Sequence, residues 1–272
     1  MGKYSELYID DVGSLTEKQQ KRKQYMFLIR ELVGREIKRK YSRSFLGIIW
    51  SVLSPLLRMT ILAVIFSQIF DRAIPHFPIY IMTGQMIFGL FTDAANASLT
   101  TLVDNRPMLI KVKFPMEVFV FTRSYSAFVN FMYSMVAYIL MLVVFRVSVT
   151  WYVLYFPVIV FFTLLFALGT SFILATAYVF FGDIKHLWAV ITQLLFFTSA
   201  IFWSVDDLTG VIDVVVRANP IFNYIHSARQ VVMWQEFPSV GQNIQMIFWG
   251  VFAYALGYAV LRKNKTKILI KI

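Results

Sequence analysis

The middle of this chain is a succession of long apolar runs separated by short polar or helix-breaking gaps, and this pattern constrains the fold more than any other feature. A helix needs about 20 apolar residues to cross the hydrocarbon of a bilayer. Six segments supply such runs: Phe45–Phe70, Ile79–Leu102, Val118–Phe145, Tyr152–Phe181, Leu187–Trp203 and Ile244–Leu261. The first four separators are Asp71-Arg72 with Pro75 and Pro78, Asp104 to Pro115, Arg146 to Trp151, and Gly182-Asp183. The last gap, Ser204 to Gln242, is too long for a simple turn. Hydrophobic residues make up 58% of the chain and charged residues 15%, against about 45–50% and about 25% in soluble domains. A water-soluble fold is excluded, and the expected class is an all-α integral membrane protein with six transmembrane helices.

The net charge of +11 raises nucleic-acid binding, but its distribution answers otherwise. Eleven of the 26 basic residues precede residue 45, and Arg262, Lys263, Lys265, Lys267 and Lys271 close the chain. Basic flanks around apolar spans follow from the positive-inside rule and need no nucleic acid. With both termini cytoplasmic, twenty basic residues fall inside and only Arg72, Arg146, Arg217 and Arg229 fall outside. The expected setting is therefore the cytoplasmic (inner) membrane. The first apolar run follows the basic block, so no cleavable signal pattern fits.

Two segments are neither span nor simple loop. Residues 18–44 place Tyr25, Phe27, Leu28, Leu32, Val33 and Ile37 at roughly helical spacing among lysines and arginines. That pattern suits an amphipathic helix lying in the inner interface. Residues 204–240 are moderately apolar but broken by Asp206, Asp207, Gly210, Asp213, Asn219-Pro220 and Pro238. A re-entrant pair of short helices between spans five and six fits better than a crossing helix, because backbone groups in lipid must be satisfied. The expected organisation is a cytoplasmic tail and interface helix over 1–44, a six-span unit over 45–261 with a cytoplasmic connection at 103–116, and a basic tail over 262–272.

Enzyme chemistry finds little support. Cysteine is absent, which removes thiolate ligands and thiol nucleophiles. His76, His186 and His226 are scattered without ligand spacing, so no metal site is expected. No Gly-x-x-x-x-Gly-Lys-Ser/Thr run occurs to cradle a nucleotide. Asp206 and Asp207 are adjacent and read as solvated loop acids.

The most specific stretch is Arg35-Glu36-Ile37-Lys38-Arg39-Lys40-Tyr41-Ser42-Arg43-Ser44-Phe45-Leu46-Gly47-Ile48-Ile49-Trp50, followed by Ser54-Pro55. It resembles the entry to the first span in membrane subunits of type-2 ABC transporters that export polysaccharides such as O-antigen, teichoic acid, capsule or rhamnan. The resemblance continues in Lys111-Val112-Lys113-Phe114-Pro115 and in Ala218-Asn219-Pro220-Ile221-Phe222 with Arg229. It implies a homodimeric permease paired with two copies of a separate ATPase subunit, which would hold ATP and Mg. This chain itself would bind no cofactor. The implied substrate is a glycan on an undecaprenyl-pyrophosphate carrier. A type-2 permease for a drug or lipid is the nearest alternative. A membrane enzyme acting on polyprenyl phosphates is a more distant one, and it would need acidic or histidine clusters at one interface.

Candidate residues follow from the chemistry of such a substrate. Arg35, Lys38, Arg39, Lys40 and Arg43 stand where inner headgroups lie, and their cations suit pyrophosphate oxygens; they equally suit anchoring to anionic lipid. Aromatic faces let sugar rings slide, and Phe88, Phe91, Tyr125, Phe128, Phe131 and Tyr133 are candidates to line a path. The same residues at helical spacing also suit packing or contact with lipid. At 1.5 Å per residue, Arg58 lies about 15 Å beyond Ile48, facing either substrate or neutralising carbonyls. Counted the same way, Asp93 and Arg123 each sit about 9 Å from the inner boundary on consecutive spans, and on depth alone they are expected to pair. Coupling to an ATPase falls to the 103–116 connection. There Asp104-Asn105-Arg106-Pro107 can cap and start a short helix, with Lys111 on it and Glu31 of the interface helix alongside.

Overall fold

A computed structural model describes residues 76–111, 115–205 and 208–272, with scattered positions between Phe27 and Ile65. Most of the expected interface helix and first span, including Arg35, Lys38, Arg39, Lys40, Arg43 and Arg58, lies outside the described residues. Glu31 is described as helical and exposed. Elsewhere the chain is helical, and no strand occurs among the described residues.

Helix α1 covers Phe77–Leu99 and starts with proline in its first turn, where a missing N–H breaks no intrahelical bond. It is buried on nearly every side, and Thr83 and Thr92 return their hydroxyls to the carbonyls of Ile79 (2.8 Å) and Phe88 (3.0 Å). A break at Thr100 separates it from α2 (Thr101–Asp104) and α3 (Arg106–Lys111). Helix α4 (Glu117–Val144) follows. A 3-10 turn, Trp151–Tyr155, then leads into α5 (Phe156–Phe180). Helix α6 covers Ile184–Thr198, and two short helices come next, α7 (Gly210–Ala218) and α8 (Pro220–Arg229). A π-helical turn, Gln230–Trp234, precedes α9 (Val240–Lys271).

Three of these segments are long and apolar enough to cross a membrane: Glu117–Val144, Trp151–Phe180 and Val240–Lys271. Their apolar side chains are only partly covered. Ile139, Leu140, Val143 and Val144 on α4 and Phe248, Val251 and Phe252 on α9 are exposed, the arrangement a lipid-facing stave requires. Helix α1 is long enough but more polar, and it fills the middle of the bundle. It packs against α4 on one side and α5 on the other, while α9 runs along α5.

The contact between α5 and α9 is a backbone contact. A Cβ on Gly169 would run into the carbonyl of Ala253, and one on Gly257 into the carbonyl of Gly169. Small residues let helices approach this closely, which gives dispersion contacts that lipid cannot replace. Helix α9 is closed at its start by a capping box, with Gln242 N donating to Ser239 Oγ (3.3 Å) and Ser239 N to Gln242 Oε1 (2.7 Å).

Two expected boundaries change. Helix α6 has 15 residues, about 22 Å, and ends five residues before the close of the fifth span expected over Leu187–Trp203. Its end is held by side chains: Asn219 Nδ2 donates to Thr198 Oγ1 (3.1 Å) and Ser199 Oγ (3.0 Å), and Arg229 takes the carbonyls of Ala200 and Ile201. The last residues, expected as a separate basic tail over 262–272, are instead the final turns of α9. Between 204 and 240, where a re-entrant pair is expected, the chain forms two short helices, α7 and α8.

Candidate functional site

At one end of the bundle the chain turns through α2 and α3. The Thr100 hydroxyl donates to Asp104 Oδ2 (2.8 Å), and Arg123 Nη2 of α4 stands 3.5 Å from the same oxygen. Arg123 Nε also donates to Thr101 Oγ1 (3.5 Å). The acid brought to Arg123 is therefore Asp104, whereas depth along straight helices pointed to Asp93. The break at Thr100 is the reason, because it turns α2 back against the foot of α4. Asp93 lies on an exposed position of α1.

Helix α3 forms where the Asp-Asn-Arg-Pro signal expects it, although not by a side-chain cap. The Asn105 carbonyl accepts from Met108 N and Leu109 N (both 3.0 Å), while its side-chain amide donates backward to the Thr101 carbonyl (2.8 Å). Leu102 and Leu109 are buried in an apolar cluster with Val118, Phe172, Leu261 and Ile268. Arg106, Pro107 and Ile110 are exposed. The connection is thus a two-faced piece, one side seated on α4, α5 and the last turns of α9, the other presented outward. Lys111 is its last helical residue.

The candidate lining residues divide into two groups. Phe91 is 1% exposed and stacks on Phe166 at 5.3 Å with Trp188 at 6.0 Å. Phe88 packs against Phe196 at 5.3 Å, and Phe131 is buried in the same core. These three rings are committed to the interior of the bundle: Phe88 and Phe91 because α1 is a central helix rather than a surface stave, and Phe131 because it lies on the buried side of α4. Tyr125 is exposed, and Phe128 and Tyr133 are half-buried, Phe128 with part of its ring packed on the core. Tyr125, Phe128 and Phe131 form a chain of ring contacts at 6.3 and 6.4 Å.

The opposite end holds a feature that the charge pattern conceals. Arg229, counted among four outer basic residues, is fully buried. Its Nη1 donates to the Ala200 carbonyl (2.9 Å), and its Nη2 donates to those of Ile201 (2.9 Å) and Tyr80 (3.2 Å). The guanidinium lies over the Tyr80 ring, 3.4 Å from its centroid, a cation–π contact strengthened by loss of water. Gly84 makes room, since a Cβ there would stand 2.8 Å from Nη2. Arg229 therefore fastens α8 to α1 and to the irregular segment after α6. The signal in the sequence is its isolation as the one formal cation in the apolar stretch from Ile221 to Trp234.

Among the described residues, no three of His, Cys, Asp or Glu come together to hold a metal ion. What the geometry offers is a bundle with apolar outer staves, a seated helical connection at one end and a carbonyl-bound arginine at the other.

Comparison with known proteins accords with this architecture. Over 217 residues the chain is 28% identical to the O-antigen export system permease protein RfbA of Myxococcus xanthus, covering 79% of this chain and 84% of that relative. It is 25% identical to the protein of the same name from Klebsiella pneumoniae, covering 89% and 93%. The polysialic acid transport protein KpsM of Escherichia coli is 22% identical, covering 89% and 95%. The family described as ABC-2 type transporter matches residues 28–233, which takes in every helix from α1 to α8, and this chain belongs to that family.

Proposed function

We propose that this chain is the transmembrane permease subunit of an ATP-driven exporter that carries an undecaprenyl-pyrophosphate-linked polysaccharide, of the O-antigen or teichoic-acid kind, across the cytoplasmic membrane. The observation that carries the reading is similarity along most of the chain to relatives named as O-antigen export permeases. In this scheme two copies form the pathway, and two separate ATPase subunits bind ATP and Mg on the cytoplasmic side. Both termini are cytoplasmic, as the basic residues favour.

Each part of the molecule has a task in the scheme. The basic run from Arg35 to Arg43 receives the carrier pyrophosphate, and Arg58 follows it into the membrane. Tyr125, Phe128 and Tyr133 present ring faces to the glycan. The exposed face of α3, with Arg106 and Ile110, docks in the ATPase, and Glu31 contributes from beside it. Because Leu102 and Leu109 seat the connection on α9 and α5, a push on α3 reaches two membrane helices at once.

The test is ATPase activity of this chain co-purified with the nucleotide-binding subunit encoded beside it, with and without lipid-linked glycan. Stimulation by glycan that is lost when Arg35, Lys38 and Arg39 are neutralised supports the reading. Failure to co-purify with any ATPase overturns the transporter scheme, and a stable complex indifferent to glycan overturns the substrate.

A further inference from the structure

Helix α4 ends in a Schellman motif. Val147 N donates to the Leu142 carbonyl (3.0 Å) and Arg146 N to the Val143 carbonyl (3.1 Å), the paired bonds that close a helix around one left-handed residue. That residue is Arg146, at φ 52. Glycine takes this position freely, whereas a side chain with a Cβ is disfavoured there. A residue held in such a conformation points to a use for its side chain.

The Arg146 side chain stands at a groove of about 400 Å³, within the range of about 300–1,000 Å³ that small-ligand clefts occupy. Its walls are apolar, with Ile139 and Leu142 from α4, Val153 and Phe156 from the start of the next span, and Val232 from the π-helical turn. Two members have polar ends. The Tyr138 hydroxyl is already hydrogen-bonded to Thr83 Oγ1 (2.6 Å). Arg146 is exposed, and its side chain makes no hydrogen bond or ion pair among the described residues. It is thus a free cation at the rim of an apolar slot.

Its level in the membrane adds a third observation. Arg146 lies just past the end of a helix of 28 residues, about 42 Å long, which is more than the hydrocarbon thickness. Beyond it Trp151, Tyr152 and Phe237 stack at 4.6 to 5.0 Å, rings of the kind that settle at headgroup depth. The cation is therefore at phosphate level while the groove runs at acyl level.

We infer that this groove binds an anionic phospholipid of the surrounding leaflet, with one acyl chain against Leu142, Phe156 and Val232 and the phosphate on the Arg146 guanidinium. A guanidinium matches phosphate oxygens in a two-pronged geometry, and the apolar wall has no use for a soluble phosphate. The inference requires that the chain span a membrane and is independent of what it exports.

The experiment uses the full chain in nanodiscs containing a minority of phosphatidylglycerol with a photoactivatable group in mid-acyl chain, and in parallel the same probe built on phosphatidylcholine. Label is located by peptide mass spectrometry. The expected result is labelling of residues 138–147 and 153–156 that favours phosphatidylglycerol. It falls by about tenfold in Arg146→Gly, the share a charge-assisted bond supplies, and is largely kept in Arg146→Lys. Because glycine relaxes the left-handed turn, Arg146→Gly should melt at the same temperature as the parent or higher, which separates loss of lipid from loss of fold. Equal labelling by both probes, or labelling unchanged in Arg146→Gly, overturns the inference. So does displacement by undecaprenyl pyrophosphate at concentrations where excess phosphatidylglycerol has no effect, which would assign the groove to the carrier lipid.

Discussion

Arg229 binds Tyr80 twice: its guanidinium lies 3.4 Å from the ring centroid, and its Nε and Nη2 donate to the Tyr80 carbonyl at 3.3 and 3.2 Å. The two residues are 149 positions apart. Two further bonds go to the carbonyls of Ala200 and Ile201, so among the described residues main-chain carbonyls and a ring hold the buried cation. Arg229→Ala strips the donor from three buried carbonyls, each of which loses about 1–3 kcal/mol when left unpaired. We expect a loss of about 3–5 kcal/mol in thermal unfolding of the purified chain. Tyr80→Phe keeps both the ring and the carbonyl and removes the hydroxyl that donates to Trp203 O (2.9 Å), so its loss should be the smaller, about 1 kcal/mol for that bond. Equal losses in the two variants would show that the arginine contact contributes nothing beyond burial.

The α5–α9 contact gives a graded series at glycines. Alanine at Gly169 or Gly257 forces two backbones apart, whereas at Gly250 the new Cβ meets the Phe162 carbonyl at 3.2 Å. Overpacking of this kind costs about 1–3 kcal/mol, with Gly169→Ala and Gly257→Ala at the upper end and Gly250→Ala at the lower. Gly89, within α1, has open space around it, and an added methyl group would meet nothing within 4 Å. Gly89→Ala should therefore be neutral or stabilise by up to about 1 kcal/mol. Thermal unfolding of the four single variants side by side checks the order.

The sequence carries the staves but not their neighbours. Runs of apolar residues and the breaks at Arg146, Gly182-Asp183 and Pro238 place α4, α5 and the start of α9 to within a few residues, because length and composition decide whether a helix can cross; the basic end of α9, ten residues past the expected span, lies outside that pattern. The same apolar pattern serves a lipid-facing helix and a central one, so nothing in the spacing of Phe88, Phe91 and Phe131 reveals that their rings turn inward. Charge counting treats Arg229 as a loop cation, since partners made of main-chain carbonyls have no signature in side-chain chemistry. Asp104 is hidden as the partner of Arg123 for a related reason. Depth along a straight helix ignores the break at Thr100, and only the folded chain supplies the turn. The helical start at Asn105-Arg106-Pro107 is legible because it is local.

Helix α3 presents opposite faces to two surroundings, and adjacent residues separate them. Leu109 is 5% exposed and Ile110 60%. Leu109→Glu buries a carboxylate in the cluster with Leu261 and Ile268 and should lower the melting temperature sharply. Ile110→Glu leaves that cluster intact and should melt within a degree or two of the parent, the small change expected of an outward substitution. On the proposed scheme Ile110→Glu nevertheless loses the ATPase subunit in co-purification, because it places a charge in the docking cleft. Retention of the ATPase by Ile110→Glu at parental yield would remove α3 from the docking surface.

The Asp104–Arg123 pair separates stability from coupling. Its N···O distance is 3.5 Å, and the Asp104 side chain is 48% exposed, so solvent screens it and its contribution to folding is at most about 1 kcal/mol. Asp104→Asn keeps an acceptor for the Thr100 hydroxyl and should leave thermal unfolding almost unchanged. Mechanically the pair matters more, because it joins the turn that carries α3 to the side of α4. If that joint transmits ATPase motion to the membrane helices, Asp104→Asn in the assembled complex should keep basal ATP hydrolysis while glycan stimulation and export fall together. Exchanging the charges, with Asp104→Arg and Arg123→Asp in one chain, should recover part of both, since the exchange restores the attraction but not the hydroxyl contacts of Thr100 and Thr101. Full export by Asp104→Asn would place the transmission elsewhere, in the apolar seat of Leu102 and Leu109.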